Sequence, residues 1–176
     1  MPDSPMVPVL GFAAFSGTGK TTLLTQLLPI LHERGYRVGM LKHAHHTFDI
    51  DHPGKDSYEL RHAGAQQVLV ASRERWALMV ETPGQGDDPQ LEPLLRRFDQ
   101  DALDLILVEG FKHVRFEKIE LHRPALGHPL LYPQDDTVVA IATDAPLEAT
   151  CPLTQLDLNE PSAIAEFIVT RFLTPG

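Results

Sequence analysis

Cysteine is almost absent. Cys151 stands alone among 176 residues, so no disulfide can close within the chain, and a reducing compartment is the expected setting. Basic residues are also short. Lys and Arg number 15 against 24 Asp and Glu, a formal net charge of −9. That balance excludes a general nucleic-acid binder, whose affinity comes from neutralising phosphates. It also argues against an anionic membrane surface as the main partner. No stretch approaches the roughly 18 apolar residues of a membrane span. The apolar run 6–15 lacks the Lys or Arg that precedes a secretory signal core, Asp3 stands there instead, and a glycine-rich stretch follows. A cytoplasmic protein is expected. There is no internal repeat or low-complexity tract. The 43% hydrophobic and 22% charged residues are ordinary for a globular chain. A chain of this length buries about 70% of its unfolded surface, so one domain over 1–176 is expected.

Strand and helix patterns alternate. The run 7–15 is continuously apolar and of strand length, as for a strand covered on both faces. Leu24, Leu27, Leu28 and Leu31 give 21–34 helical spacing, and Gly35 stops it. A strand follows at 36–41, then a polar loop at 42–55. A short helix at 56–63 has Asp56 as its expected N-cap. The runs 68–71 and 76–81 read as a strand pair, with 82–89 a loop rich in Gly, Pro and Asp. Helix 91–98 and the buried strand 103–109 come next. Segment 118–122 alternates like a half-exposed strand, 138–142 is apolar again, and 162–173 is a closing helix. Trp76 and Phe48 read as packing groups. The fold class expected is α/β: a single-domain P-loop NTPase with a mostly parallel sheet, helices on both faces and an antiparallel edge hairpin. In such sheets ligands bind beyond the carboxyl ends of the strands. The loops after Phe15, Leu41, Val108 and Ala142 should therefore share one rim.

The strongest motif is Ala14-Phe-Ser-Gly-Thr-Gly-Lys-Thr21, which matches G-x-x-x-x-G-K-[ST] except that Ala14 replaces the first glycine. Gly17 and Gly19 let the backbone curl so that successive N–H groups meet one anion. With Ser16, Thr18 and Thr22 they complete the expected nucleotide-binding loop. Lys20 brings a charge to the β and γ phosphates, and the Thr21 hydroxyl serves Mg²⁺. Glu109, at the carboxyl end of an apolar strand, is the candidate second metal group, direct or through water. Asp104, at the other end, reads as structural.

Five of the nine histidines fall within 43–62: His43, His45, His46, His52 and His62. Three readings are open. The loop could hold a transition metal, though no zincin-type i, i+4 pair or Cys pair supports one. It could be a solvated polar loop. Or it could be an active-site loop, with His45 and His46 facing an anionic ligand and Asp49 or Asp51 reaching Mg²⁺ or an attacking water. Lys55 has no evident packing role and is a candidate phosphate contact.

Several segments in order resemble a known family. They are Phe12-Ala-Ala-Phe-Ser-Gly-Thr-Gly-Lys-Thr-Thr-Leu23, Leu41-Lys-His-Ala-His-His46, Asp51-His-Pro-Gly-Lys-Asp-Ser-Tyr-Glu-Leu60, Ala63-Gly-Ala65, Arg75-Trp-Ala-Leu78 and Leu105-Ile-Leu-Val-Glu-Gly-Phe-Lys112. Together they resemble the molybdopterin-guanine dinucleotide biosynthesis protein B (MobB) family. The match covers 12–112 well and the tail after 122 loosely. The family carries Ala at the first P-loop position, as here. The resemblance implies a homodimeric GTP-binding protein with weak GTPase activity. It implies an adapter, or an accessory donor of nucleotide or molybdopterin, acting beside the guanylyltransferase that is its protein partner. The alternative is a P-loop small-molecule kinase, but the chain has no clear Arg-rich lid, although Arg115 and Arg123 lie near the short loop 124–133. A nucleic-acid-linked ATPase conflicts with the charge of −9. The guanine preference comes with the resemblance. The common Asn-Lys-x-Asp segment is missing, and Asp144, after the strand 138–142, is the best candidate to read the base. Its plainer reading is a turn cap.

Overall fold

The computed structural model describes residues 7–44, 48–82, 88–147 and 151–174. The chain divides into two compact units, one of residues up to 43 with those from 91 onward, the other of residues 44–90.

The larger unit holds six parallel strands: β1 (Val9–Ala13), β2 (Val38–Lys42), β5 (Leu105–Glu109), β6 (Lys118–His122), β7 (Val138–Thr143) and β8 (Thr154–Asp157), in the order β2-β5-β1-β6-β7-β8. Side chains alternate across a strand, so β5 sends Leu105 and Leu107 to one face and Ile106 and Val108 to the other. The first face packs on Leu24, Leu27 and Leu31 of α1 (Lys20–Glu33) and on Ile164 and Ile168 of α4 (Pro161–Ile168). The second packs on Leu91 and Leu95 of α3 (Leu91–Leu95). Coverage on both faces is why these strands read as unbroken apolar runs. Beyond α4 the chain continues as a π-wound turn, Val169–Leu173. Among the described residues no helix is long and apolar enough to cross a membrane.

Strand β6 departs from the half-exposed expectation: all five of its residues are buried. It lies inside the sheet between β1 and β7, and both of its faces are covered. Its polar residues are satisfied instead. Lys118, 1% exposed, donates from Nζ to Asp135 Oδ2 at 3.1 Å and Thr137 Oγ1 at 2.7 Å. Glu120 accepts the backbone N–H of Leu131 at 2.7 Å and of Tyr132 at 2.9 Å. Burial raises the Glu120 pKa, against the pull of those two donors. Strand β8, a polar edge element, has no counterpart among the expected strands. Asp104 is structural as expected, accepting Arg37 N at 2.8 Å and bonding the Arg37 guanidinium.

The smaller unit contains α2 (Asp56–His62) and an antiparallel pair, β3 (Gln67–Ala71) with β4 (Trp76–Val80). The expected hairpin is present as a two-stranded sheet of its own. Asp56 is not the N-cap: Lys55 holds that position and Asp56 opens the first turn, where a carboxylate complements the helix dipole. Trp76 and Phe48 are not packing groups within the described residues. They are 68% and 69% exposed. Register pairs Leu69 with Leu78 and Ala71 with Trp76, so one face of the hairpin shows Leu69, Trp76 and Leu78 to solvent.

Candidate functional site

Strand register sets the rim. Phe12 pairs with Glu109, and Lys42 with the same Glu109, so β1, β2 and β5 end together. Just past β1 the chain turns through residues 14–19. Gly17 (φ 81) and Gly19 (φ 100) both adopt the left-handed conformation that an L side chain disfavours. Between them Thr18 is buried, its hydroxyl donating to Phe15 O at 2.9 Å. Helix α1 begins at Lys20 with no side-chain cap and no acid in its first turn. Its unpaired N–H groups and positive dipole end are left for an anion.

Lys20 folds back over the loop. Its Nζ donates to Ala14 O at 3.1 Å and Phe15 O at 3.5 Å. Burial lowers its pKa, Glu109 opposes that, and Lys112 and Lys42 add to the lowering. Glu109 also pairs with Lys42 Nζ at 3.5 Å and is only 14% exposed in its side chain. Three cations and one carboxylate thus share the rim around the loop. The segment after Glu109 is strained: Phe111 has φ 53, a conformation costly for a non-glycine residue, and its ring stacks on His43 at 4.8 Å.

The opposite side of the loop is bounded by Arg123, just after β6. Its Nε donates to Thr18 O at 2.9 Å, and its Nη1 donates to Asp144 Oδ2. Asp144 follows β7, where Thr143 Oγ1 donates to Ala145 O at 2.8 Å and fixes the turn. Burial lowers the His122 pKa, with Asp144 opposing and His128 adding to it. Sequence reasoning noted Arg123 only as a neighbour of loop 124–133. The available signal was a basic residue directly after the end of β6, which is the fifth strand after β1 in chain order but its neighbour in the sheet.

The expected metal groups are oxygen donors, the Thr21 hydroxyl and the Glu109 carboxylate, which suits a hard cation. Among the described residues no group of three His, Cys, Asp or Glu could hold a metal ion. A pair of protein oxygens fits Mg²⁺, which takes one or two protein ligands and completes its shell with phosphates and water. Of the histidine loop, His45 and His46 lie outside the described residues. His52 and His62 have local partners, Pro53 O at 3.2 Å and Tyr58 O at 2.9 Å. In the smaller unit Asp51 meets Arg61 Nη2 at 2.6 Å, and the same guanidinium binds Asp49 and Glu81. Arg61 holds the Asp51 carboxyl below its usual range. Arg61 was not foreseen from sequence.

The sequence profile of a family described as Molybdopterin guanine dinucleotide synthesis protein B matches residues 9–144. Over 170 residues the chain is 52% identical to the molybdopterin-guanine dinucleotide biosynthesis adapter protein of Escherichia coli (strain K12), covering 96% of this chain and 95% of that one. The protein of the same description from Haemophilus influenzae is 46% identical over 163 residues, covering 92% and 88%. A crystal structure of a molybdopterin-guanine biosynthesis protein B superposes with a TM-score of 0.69 at 27% identity, over 92% of this chain and 98% of that one. With the family profile spanning residues 9–144 and relatives at 52% and 46% identity over most of both chains, the chain belongs to the molybdopterin-guanine dinucleotide biosynthesis protein B family.

Proposed function

We propose that this protein is a cytoplasmic GTP-binding adapter in molybdopterin guanine dinucleotide biosynthesis, with slow GTP hydrolysis. The observation that carries the nucleotide reading is the loop 14–19. Two left-handed glycines, an uncapped helix start and the folded-back Lys20 together make a nest for phosphate groups. Gly17, Thr18, Gly19, Ser16, Lys20, Thr21 and Thr22 would cradle the phosphates, and Lys55 is a further candidate contact. Thr21 and Glu109 would hold Mg²⁺, which supplies charge neutralisation on the phosphates. Asp144 would read the base. A carboxylate accepts both N1–H and the exocyclic amine of guanine, whereas adenine presents an acceptor at N1. His45, His46 and Asp51 are proposed to act on the phosphate end or on the attacking water.

Hydrolysis is expected to be slow because the arginines bordering the loop are already engaged: Arg123 with Thr18 and Asp144, Arg115 with Asp136. An arginine free to reach the transferring phosphoryl group can be worth 10³–10⁵ in rate. The adapter role rests on relatives whose printed descriptions are adapter proteins. The partner is then the guanylyltransferase of that pathway, with molybdopterin as a second ligand of the complex.

The test is calorimetric titration with GTP and ATP in Mg²⁺, followed by a turnover assay. The wild type should prefer GTP and turn over below about 1 s⁻¹, the low end of ordinary enzymes. Asp144→Asn should weaken GTP relative to ATP by about 1–3 kcal/mol, the cost of unsatisfied polar groups. Equal losses for both nucleotides would mean that another group reads the base.

We also infer a homodimer, supported by the hairpin. A two-stranded sheet is marginal on its own, and Leu69, Trp76 and Leu78 lie exposed on one of its faces. Such patches are commonly covered by a partner. Sedimentation should give twice the chain mass, and Trp76→Glu should shift it toward monomer. A wild-type monomer at micromolar concentration would sink this part.

A further inference from the structure

We propose that Arg123 is the positioning residue for base choice, clamping the Asp144 carboxylate to the phosphate loop so that one of its edges faces the nucleotide base. The proposal rests on Asp144 as the acceptor for guanine and says what makes that acceptor selective. Three pieces of chain meet at one guanidinium. Arg123 comes from the end of β6, Thr18 from the loop after β1 and Asp144 from the turn after β7. Nε is committed to the Thr18 carbonyl at 2.9 Å and Nη1 to Asp144 Oδ2. Nη2 lies against the loop, 3.6 Å from where a Cβ on Gly19 would stand. A planar guanidinium fixes the directions of all its donors once two are placed. The contact to Thr18 therefore orients the contact to Asp144.

The geometry leaves Asp144 usable. Its side chain is 23% exposed and that of Arg123 is 32% exposed, so both remain within reach of a ligand. An ionised carboxylate accepts at roughly four lone-pair positions, and Arg123 takes one on Oδ2. The remaining positions, including all of Oδ1, can meet the two parallel donors of a guanine edge. The turn is held from the backbone side by Thr143 and Ala145, so the carboxylate has little freedom except its own rotation. Arg123 removes that freedom.

Charge makes a second argument. A lone carboxylate close to a bound triphosphate would repel it, and that repulsion would weaken every nucleotide alike. Arg123 neutralises Asp144 at contact distance, so discrimination comes without a general loss of affinity. Lysine cannot substitute, because one ammonium on a flexible stem does not hold the Thr18 carbonyl and the carboxylate in a fixed relative orientation.

The experiment titrates GTP and ATP into the wild type, Arg123→Ala, Arg123→Lys, Asp144→Asn and the double variant Arg123→Ala/Asp144→Asn, with melting curves for each. Arg123→Ala should lose on the order of tenfold in the GTP-to-ATP affinity ratio, the scale of one charge-assisted hydrogen bond. Arg123→Lys should recover little of it. The double variant should show the ratio of Asp144→Asn alone, because the clamp acts only through the carboxylate. Equal losses of GTP and ATP in Arg123→Ala would overturn the proposal and make Arg123 a support of the phosphate loop. A normal ratio in Arg123→Ala with a lost ratio in Asp144→Asn would also overturn it, while leaving Asp144 as the base reader. A normal ratio in Asp144→Asn would remove the underlying reading itself. Should Arg123→Ala melt below the assay temperature, the ratio in Arg123→Lys decides in its place: wild-type discrimination there overturns the clamp.

Discussion

Lys20→Ala should lose about 10- to 100-fold in nucleotide affinity and keep a native far-UV spectrum and a cooperative melt. Lys20 is the first residue of α1, where alanine is the best helix former. Truncation removes its bonds to Ala14 O and Phe15 O. Those carbonyls border solvent, so their loss costs about 1 kcal/mol, the net worth of an ordinary hydrogen bond. On the proposed reading the same ammonium faces phosphate oxygens, and charge-assisted bonds of that kind contribute about 1.5–3 kcal/mol. The two effects differ in sign of evidence. A melt lowered by 10 °C with unchanged GTP affinity would make Lys20 a staple of the loop and not a ligand for phosphate. Lys20→Arg should not restore binding, because a planar guanidinium does not reproduce the compact point charge of the ammonium. Titration and melting of the two variants settle the matter together.

Local spacing explains what was legible. The glycine loop could be read because all of its parts lie within residues 14–21, between an apolar strand and an amphipathic helix. The buried strands β1, β5 and β7 announced themselves as apolar runs. Strand β6 misled because its burial depends on partners elsewhere: Lys118 is satisfied by Asp135 and Thr137, and Glu120 by the backbone of Leu131 and Tyr132. Alternating polarity usually marks a wet face, and here it marks polar groups paired inside the sheet. β8 escaped because Thr154, Gln155 and Asp157 give a short edge strand no apolar signature. The Thr18–Arg123–Asp144 junction joins residues 105 and 21 positions apart, and only the parallel order β1-β6-β7 brings them together. Arg61 illustrates the same limit on a smaller scale. Its three carboxylates come from a loop and a strand end on either side of it in sequence, and no pattern within α2 indicates them.

Asp135→Ala should be the most destabilising single change outside the apolar core, at about 3 kcal/mol, the low end for breaking a buried ion pair. Lys118 is 1% exposed and its ammonium has three neighbours: Asp135 at 3.1 Å, the Thr137 hydroxyl at 2.7 Å and the face of the Phe116 ring at 4.8 Å. Removing Asp135 leaves a hydroxyl and a ring to hold a buried charge. It also frees Thr137, whose N–H and hydroxyl both donate to Asp135 Oδ1. For a chain of this size 3 kcal/mol lowers the melting temperature by roughly 6–12 °C. Lys118→Met in the same background should return most of the loss, because it replaces the stranded ammonium with an apolar chain of similar length. Acid titration gives an independent check. Burial pushes the Asp135 carboxyl up, but the Thr137 donors and Lys118 outweigh that and hold it below the usual carboxylate range. Its stabilisation is therefore complete above the unfolded pKa and fades as pH falls through the folded one. The wild type should lose stability on acidification more steeply than Asp135→Ala/Lys118→Met, over that window. If Asp135→Ala melts within 2 °C of wild type, the Thr137 hydroxyl and the Phe116 ring suffice for Lys118, and the polar interior of β6 owes nothing to its ion pair.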